Sequence, residues 1–330
     1  MDSYPNKIRK EFHSNASQKG SIVAFPDCED VRVLRAVSIL HEEKIVTPIL
    51  IGQSNILQEI AKTNNIDING IKIVNPKEQS DIHTYGAMFF DIRKTKGITK
   101  EVAIKTMENP LFYAGMMVKH GVVSSVVAGA KSSTGDVLRA AIQTVGLAPS
   151  TTIVSSYFVM ILESSVTLFA DCGVVPNPNH EELASIASST VENYQRLFPK
   201  EIPKVAFLSF STKGSATSDS VVKVQEAFRL FTQKHPNVLA DGELQFDAAF
   251  VPEVAISKAK NSPIGGEANI YIFPNLDAGN IAYKIAQRIG KATAIGPIIQ
   301  GLQKPYCDLS RGCSVEDIID VASISSLLSS

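Results

Sequence analysis

Short apolar runs alternate with amphipathic stretches of helical period along the whole of this chain, and that alternation admits few folds. SIVAF (Ser21 to Phe25) predicts a strand, Val31 to Glu43 a helix, and TPILIG a strand. IKIVNP repeats the strand signal before two helical stretches, Thr84 to Lys94 and Thr99 to His120. VVSSVVAGA reads as an apolar strand running into a Gly turn. The helix that begins near Ser133 continues to about Val145 and stops at Gly146, as a Gly after the last turn predicts. In the second half, TTIVSSYFVMIL and SVTLFADCGVV read as neighbouring strands. Asn179 to Leu197 places Leu183, Ile186, Ala187, Val191 and Tyr194 on one helical face. KVAFLSFS is a strand, Asp219 to Gln233 a helix, ANIYIF a strand and Gly279 to Ile289 a helix. The pattern predicts an α/β fold of mainly parallel sheets with covering helices.

With 330 residues the chain is too long for one comfortable core and suits two such domains. Two turn clusters, GLAPS (Gly146 to Ser150) and IGPIIQGLQKP (Ile295 to Pro305), suggest two crossings between them. The expected division is 1–148 plus 303–330 for the first domain and 149–302 for the second, so that the last segment returns to the first.

Hydrophobic residues make up 44% and charged residues 20% of the chain, a globular balance. Its 32 Lys and Arg face 33 Asp and Glu, so no bulk field favours nucleic acid or an acidic membrane. Any bound anion must be caught by local Arg placement. The cysteines, Cys28, Cys172, Cys307 and Cys313, form no C-x-x-C pair, and the six His are scattered, so no zinc site is expected. Buried, reduced thiols in a reducing compartment are expected instead. The N-terminus is polar, without an apolar signal core, and no segment approaches the roughly 18 consecutive apolar residues of a membrane helix. A soluble cytoplasmic protein is expected.

Five stretches could carry chemistry. In DLSRGCSVEDIIDV, Ser314 and Asp317 spell a capping box, and Ser310 and Arg311 lie just upstream in a Gly-containing turn. Asp317 could simply start the last helix. The turn could equally aim a hydroxyl, a guanidinium and N–H groups at one point beside that carboxylate, and both readings can hold. In VVAGAKSSTGDVLRAA, a strand ends at Gly129, and Lys131, Ser132, Ser133 and Thr134 precede a helix, as in a phosphate cradle with free N–H groups. Against that, Ser133 or Thr134 fits an ordinary N-cap and Arg139 a solvated helix position. The remaining three are LSFSTKGSATSDS, DGELQFDAA (a solvated turn and helix start on the plain reading) and NLDAGNIAYKIAQR with Asn280, Lys284 and Arg288.

Taken in order and spacing, VAGAKSSTGDVLRAA, KVAFLSFSTKGSA, DGELQFDAA, IFPNLDAGNIAYKIAQR and IGPIIQGLQKPYCDLSRGCSVEDI resemble the short phosphate acetyltransferases, or phosphotransacetylases. The resemblance implies a two-domain fold like that of isocitrate and isopropylmalate dehydrogenases, usually homodimeric, with the active site in an interdomain cleft. By this resemblance Ser310, Arg311 and Asp317 match catalytic residues, and Arg93 in DIRKTKG and Arg139 match Arg residues linked to coenzyme A. One departure stands out. Where the family commonly has Ala-Asp-Gly before the VAGA strand end, this chain has Val123, Ser124 and Ser125.

The implied reaction moves an acetyl group between coenzyme A and inorganic phosphate. A free thiol has a pKa of about 8.5, so a positioned carboxylate that takes its proton is valuable; Asp317 is the candidate base. Arg311 meets the charge on carbonyl oxygen and departing phosphate, Ser310 adds a donor, and the Ser132 to Thr134 turn holds the phosphoryl end. Coenzyme A is a substrate, and no resident cofactor or metal is implied. A Cys acyl-enzyme lacks a recognisable His partner, which favours direct transfer. A phosphate butyryltransferase is the nearest rival. An NAD-linked dehydrogenase lacks a G-x-G-x-x-G after any strand, and a non-catalytic transacetylase-like tail lacks its malic domain.

Overall fold

A computed structural model describes residues 2–149 and 151–329; Ser150, at the end of the GLAPS cluster, lies outside them. The strands in chain order are β1 (Ile22–Phe25), β2 (Thr47–Ile51), β3 (Lys72–Val74), β4 (Ser125–Ala128), β5 (Ser155–Ile161), β6 (Val166–Ala170), β7 (Lys204–Leu208), β8 (Leu239–Leu244), β9 (Ile270–Ile272), β10 (Thr293–Gln300) and β11 (Tyr306–Asp308). The α-helices are α1 (Tyr4–Lys19), α2 (Val31–Glu42), α3 (Ser54–Thr63), α4 (Ile82–Arg93), α5 (Lys100–Thr106), α6 (Pro110–Lys119), α7 (Thr134–Thr144), α8 (His180–Leu197), α9 (Asp219–Lys234), α10 (Phe246–Phe250), α11 (Pro252–Lys258), α12 (Leu276–Arg288) and α13 (Val315–Leu328).

The chain divides into two compact units. One is Arg9–Pro149 with Leu302–Ser330; the other is Ser150–Gly301 with the residues through Ile8. The first holds a five-stranded, wholly parallel sheet in the order β11-β4-β1-β2-β3. Its Ala24, Ile49, Ile51, Val126 and Ala128 share one core with Phe89, Met116 and Val137 of α4, α6 and α7. The alternating Val23, Phe25 and Val127 are buried too, and α2 and α13 pack against these strands. Both faces are therefore covered, which explains near-continuous apolar strands.

The other unit holds a six-stranded sheet in the order β10-β5-β6-β9-β7-β8. Its β6-β9-β7-β8 half is parallel, but β5 runs antiparallel to both β6 and β10. The short connection from Leu162 to Ser165 explains the β5–β6 pairing, since parallel neighbours need a long crossover.

Three sequence expectations change. Ile295 to Gln300, read above as part of a turn cluster, belongs to β10, with a register shift against β5 between Ile295 and Ile298 where Pro297 cannot donate to the ladder. The predicted helix Thr99 to His120 is two helices, α5 and α6, broken before Pro110. Pro cannot donate to the preceding turn, and Asn109 caps α6 by accepting from the Leu111 N–H at 2.9 Å. DGELQFDAA does not begin as a solvated turn. Its DGEL is the end of β8, and Asp241 and Glu243 are buried. Glu243 accepts from Ser211 Oγ (2.9 Å), the Gly214 N–H (2.7 Å) and Gln225 Nε2 (2.8 Å), anchoring the LSFSTKGSATSDS loop.

Candidate active site

In the parallel sheet, β1, β2 and β3 step outward on one side and β4 and β11 on the other, so the strand order reverses between β1 and β4. Ligands of such sheets bind outside the carboxyl ends of the strands at this point. Three turns leave those ends here: residues 26–30 after β1, 129–133 after β4 and 309–314 after β11. The second and third carry Lys131, Ser132, Ser133, Ser310 and Arg311, α7 begins with Thr134 and α13 carries Asp317 in its first turn, so parallel pairing brings these residues to one edge.

The turns are cross-tied by residues that the sequence reading did not single out. The buried Asp27 carboxylate accepts from the N–H groups of Gly129 (2.7 Å), Lys131 (3.2 Å) and Ser132 (3.1 Å) and from Ser132 Oγ (2.6 Å). The N–H groups expected to be free for phosphate therefore point inward at a carboxylate. Ser133 is the N-cap of α7, its hydroxyl accepting from the Asp136 N–H at 3.2 Å. The Lys131 ammonium pairs with Glu29. Arg32 completes the tie. Its Nη1 donates to the carbonyls of Arg311 (2.7 Å) and Cys313 (2.8 Å), its Nη2 to the Ala130 carbonyl (3.1 Å), and it forks onto Asp30. A signal existed: FPDCEDVR places three acids and an Arg directly after an apolar strand.

Within the third turn, Ser310 and Arg311 are exposed. Ser314 and Asp317 form the capping box: Asp317 Oδ2 accepts from the Ser314 N–H (2.8 Å), and Ser314 Oγ accepts from the Asp317 N–H (3.1 Å). Just upstream, Asp308 is 1% exposed and its Oδ1 has no partner. Burial first, then the charge of Asp27, raise its pKa to about 6, against opposing contributions from the Thr134 hydroxyl and Arg311. Gly129, at φ +102°, lies against it. A Cβ there would sit 2.3 Å from Asp308 Oδ1, so no other residue fits.

Beside the turns a hollow of about 380 Å³ is lined by Asp27, Phe112, Lys131, Ser132, Asp136 and Arg139 among others. Arg139 forms an exposed pair with Asp136 at 2.9 Å, one turn earlier on α7. Arg93 ends α4, a helix that packs on α6 and α7. Asn280 and Lys284 lie in the other unit, on α12. Lys284 Nζ donates to Asn280 Oδ1 (2.8 Å), and Asn280 Nδ2 to the Cys172 carbonyl (3.0 Å). Asp171, 3% exposed, gathers that turn by accepting from the N–H groups of Gly173, Val174 and Val175.

Each of the four cysteines is a buried free thiol. Burial raises Cys28 to about 12 and Cys172 and Cys313 above their ordinary range. Ser124 and Ser125, the departure noted above, stand at the opposite, amino-terminal end of β4. Ser124 Oγ accepts from the Ile22 N–H (3.2 Å), and Ser125 Oγ bonds Ser325 Oγ of α13 (2.9 Å). Among the described residues no helix is long and apolar enough to cross a membrane.

The sequence profile of the phosphate acetyl/butaryl transferase family matches residues 7–326. The chain belongs to this family. It is 44% identical over 311 residues to a phosphate acetyltransferase of Acetivibrio thermocellus, covering 92% of this chain and 93% of that one. It is 46% identical to the phosphate acetyltransferase of Thermoanaerobacterium thermosaccharolyticum, with 92% and 94% covered. Among solved structures it resembles the EutD phosphotransacetylase of Staphylococcus aureus (TM-score 0.91, 39% identity, 99% of each chain). The same architecture extends to a 4-hydroxythreonine-4-phosphate dehydrogenase of Burkholderia phymatum. At 9% identity and TM-score 0.56, over 94% and 98% of the two chains, that likeness concerns the fold alone. The phosphate acetyl/butaryl transferase family places this chain among the acyltransferases, and the DLSRGCSVEDI stretch that carries the candidate residues lies inside the matched span.

Proposed function

We propose that this chain catalyses reversible acetyl transfer between coenzyme A and inorganic phosphate. The observation that carries the reading is the convergence of Ser310, Arg311, Asp317, Lys131 to Thr134 and Arg139 on one edge of the parallel sheet, within a chain of this family. Relatives at 44–46% identity that bear the acetyl name favour it over the butyryl branch.

In this reading the coenzyme A thiol binds beside Asp317, whose Oδ2 holds the Ser314 N–H while Oδ1 is left to take the thiol proton. The thiolate attacks the acetyl carbonyl of acetyl phosphate, the C–O bond to phosphate breaks, and phosphate leaves with the electron pair. Arg311 meets the growing charge. Its carbonyl is tied to Arg32, while among the described residues its guanidinium makes no hydrogen bond and remains available for a planar, bidentate contact. Ser310 supplies a further donor, and the start of α7 with Thr134 receives the phosphoryl end. Arg93, Arg139, Asn280 and Lys284 are assigned to coenzyme A. Transfer is direct, since buried thiols with raised pKa values make poor nucleophiles.

We place the protein in a reducing cytoplasm as a homodimer. The exposed Ile281 and Ile285 of α12 and Ile289 at its C-cap, four residues apart, are the face offered to the second copy. The deciding assay is phosphate-dependent release of free thiol from acetyl-coenzyme A by the purified chain. Absence of release at any phosphate concentration rejects the activity. A monomer by light scattering rejects the dimer.

A further inference from the structure

We infer that Arg32, set by Asp30, is the positioning residue that orients Asp317 and Arg311 and locks the turn after β11 to the turn after β4. The inference rests on the catalytic reading of that turn given above.

A guanidinium has five N–H donors in a planar fork, and in Arg32 all of them are engaged: Nε and one Nη2 donor on Asp30, the other Nη2 donor on Ala130, and both Nη1 donors on Arg311 and Cys313. No donor remains for a substrate. Arg32 therefore acts through the main chain, unlike Arg311.

The route to Asp317 is a single rigid unit. In a trans peptide the C=O and N–H point in opposite directions, and the plane resists twisting. The peptide joining Cys313 to Ser314 has its C=O on Arg32 (2.8 Å) and its N–H on Asp317 Oδ2 (2.8 Å). Arg32 and the candidate base thus hold opposite ends of one peptide plane. The peptide joining Arg311 to Gly312 is held the same way, its C=O on Arg32 (2.7 Å). That fixes the backbone from which the Arg311 side chain leaves. Asp30 does two jobs: it caps α2 by accepting from the Arg32 N–H (2.8 Å), and it forks onto the guanidinium (2.8 and 3.0 Å). The fork decides which way Nη1 faces. Because the contact to Ala130 belongs to the turn after β4, loosening Arg32 should loosen both turns together.

Lys keeps the charge but offers its three donors from one atom, so it cannot reach three turns at once. The test uses the full chain with Arg32→Lys and Asp30→Asn, read by amide hydrogen exchange and by acetyl-transfer kinetics. We expect exchange at Gly312 and Ser314 to quicken about ten-fold or more in Arg32→Lys, with the amides of β1 and β4 unchanged. The kcat should fall roughly 10- to 100-fold while KM for coenzyme A and acetyl phosphate moves less than about three-fold, the pattern of misplaced rather than missing groups. Asp30→Asn should give the same pattern in weaker form, and covers the case in which Arg32→Lys does not fold. A folded Arg32→Lys with unchanged exchange overturns the clasp. A loosened turn with wild-type kcat overturns the positioning role. Should the wild-type chain release no thiol, the catalytic reading falls, and with it the positioning role; the exchange arm still decides whether Arg32 locks the turns.

Discussion

Asp317 accepts a hydrogen bond from the Ser314 N–H at 2.8 Å, so the candidate base is also the third helical residue, which closes the capping box of α13. One carboxylate oxygen holds the start of the last helix, and in the proposed mechanism the other takes the thiol proton. The two roles separate in a substitution that keeps the acceptor and removes the proton affinity. Asp317→Asn should lower kcat by roughly 10²–10⁴, while losing the cap altogether would cost only about 1 kcal/mol of stability. A variant that melts several degrees lower yet turns over normally would leave Asp317 as a cap alone.

Arg311 carries the next expectation. Removing a preorganised donor to transition-state charge costs about 2.7–4 kcal/mol. Arg311→Lys retains charge without the planar fork, so steady-state kinetics should show the loss mainly in kcat. An unchanged kcat with a raised KM for phosphate would reduce Arg311 to a binding residue.

Cys172 is fully buried beside Asp171, and burial holds its thiol protonated. Cys172→Ser should keep substantial activity, with any loss traced to packing. Radiolabelled acetyl trapped on Cys172 would refute direct transfer.

Arg93 and Arg139 are expected to grip the phosphates of coenzyme A. The pair Arg139 makes with Asp136 is exposed, and helical pairs of this kind are worth only about 0.3–0.5 kcal/mol, so Arg139 can leave it readily. Charged contacts to phosphate are worth about 1.5–3 kcal/mol each. Arg93→Ala and Arg139→Ala should raise KM for coenzyme A roughly ten- to hundred-fold and change KM for acetyl phosphate much less. If one of them holds the 3′-phosphate, its variant should stop distinguishing coenzyme A from dephospho-coenzyme A. Full discrimination in both variants would move that contact to Lys94 or Lys96.

Asp308 makes stability depend on pH. Its folded pKa, about 6, lies above the ordinary carboxyl value of 3.8, chiefly through burial. The protonated form is thus favoured in the folded state. Its contribution is fully present below the ordinary value and is lost as pH rises through about 6. A shift of this size corresponds to roughly 3 kcal/mol at most. Asp308→Asn, neutral at every pH and still able to accept from Thr134, should raise Tm relative to wild type at pH 8, with the gain shrinking toward pH 5. A Tm difference independent of pH would show that Asp308 is not the titrating group.

Local patterns and whole motifs were legible in the chain itself. Apolar period, Gly146 as a helix stop and Ser314 with Asp317 as a cap all depend on neighbours a few residues away. The order and spacing of the long motifs likewise pointed to the family that the comparisons bear out. Pro110 is visible in the chain as a helix-starting residue type, yet the stretch Thr99 to His120 is predicted above as one helix across it. Tertiary structure alone decided what each polar group faces. The Lys131 and Ser132 N–H groups look free in sequence and are held by Asp27, and the Arg32 fork meets the Arg311 carbonyl 279 residues away. Hydrogen bonds select partners by distance and angle within about 3 Å. Sequence sets which donors and acceptors exist; only the register of β1, β4 and β11 sets which of them meet.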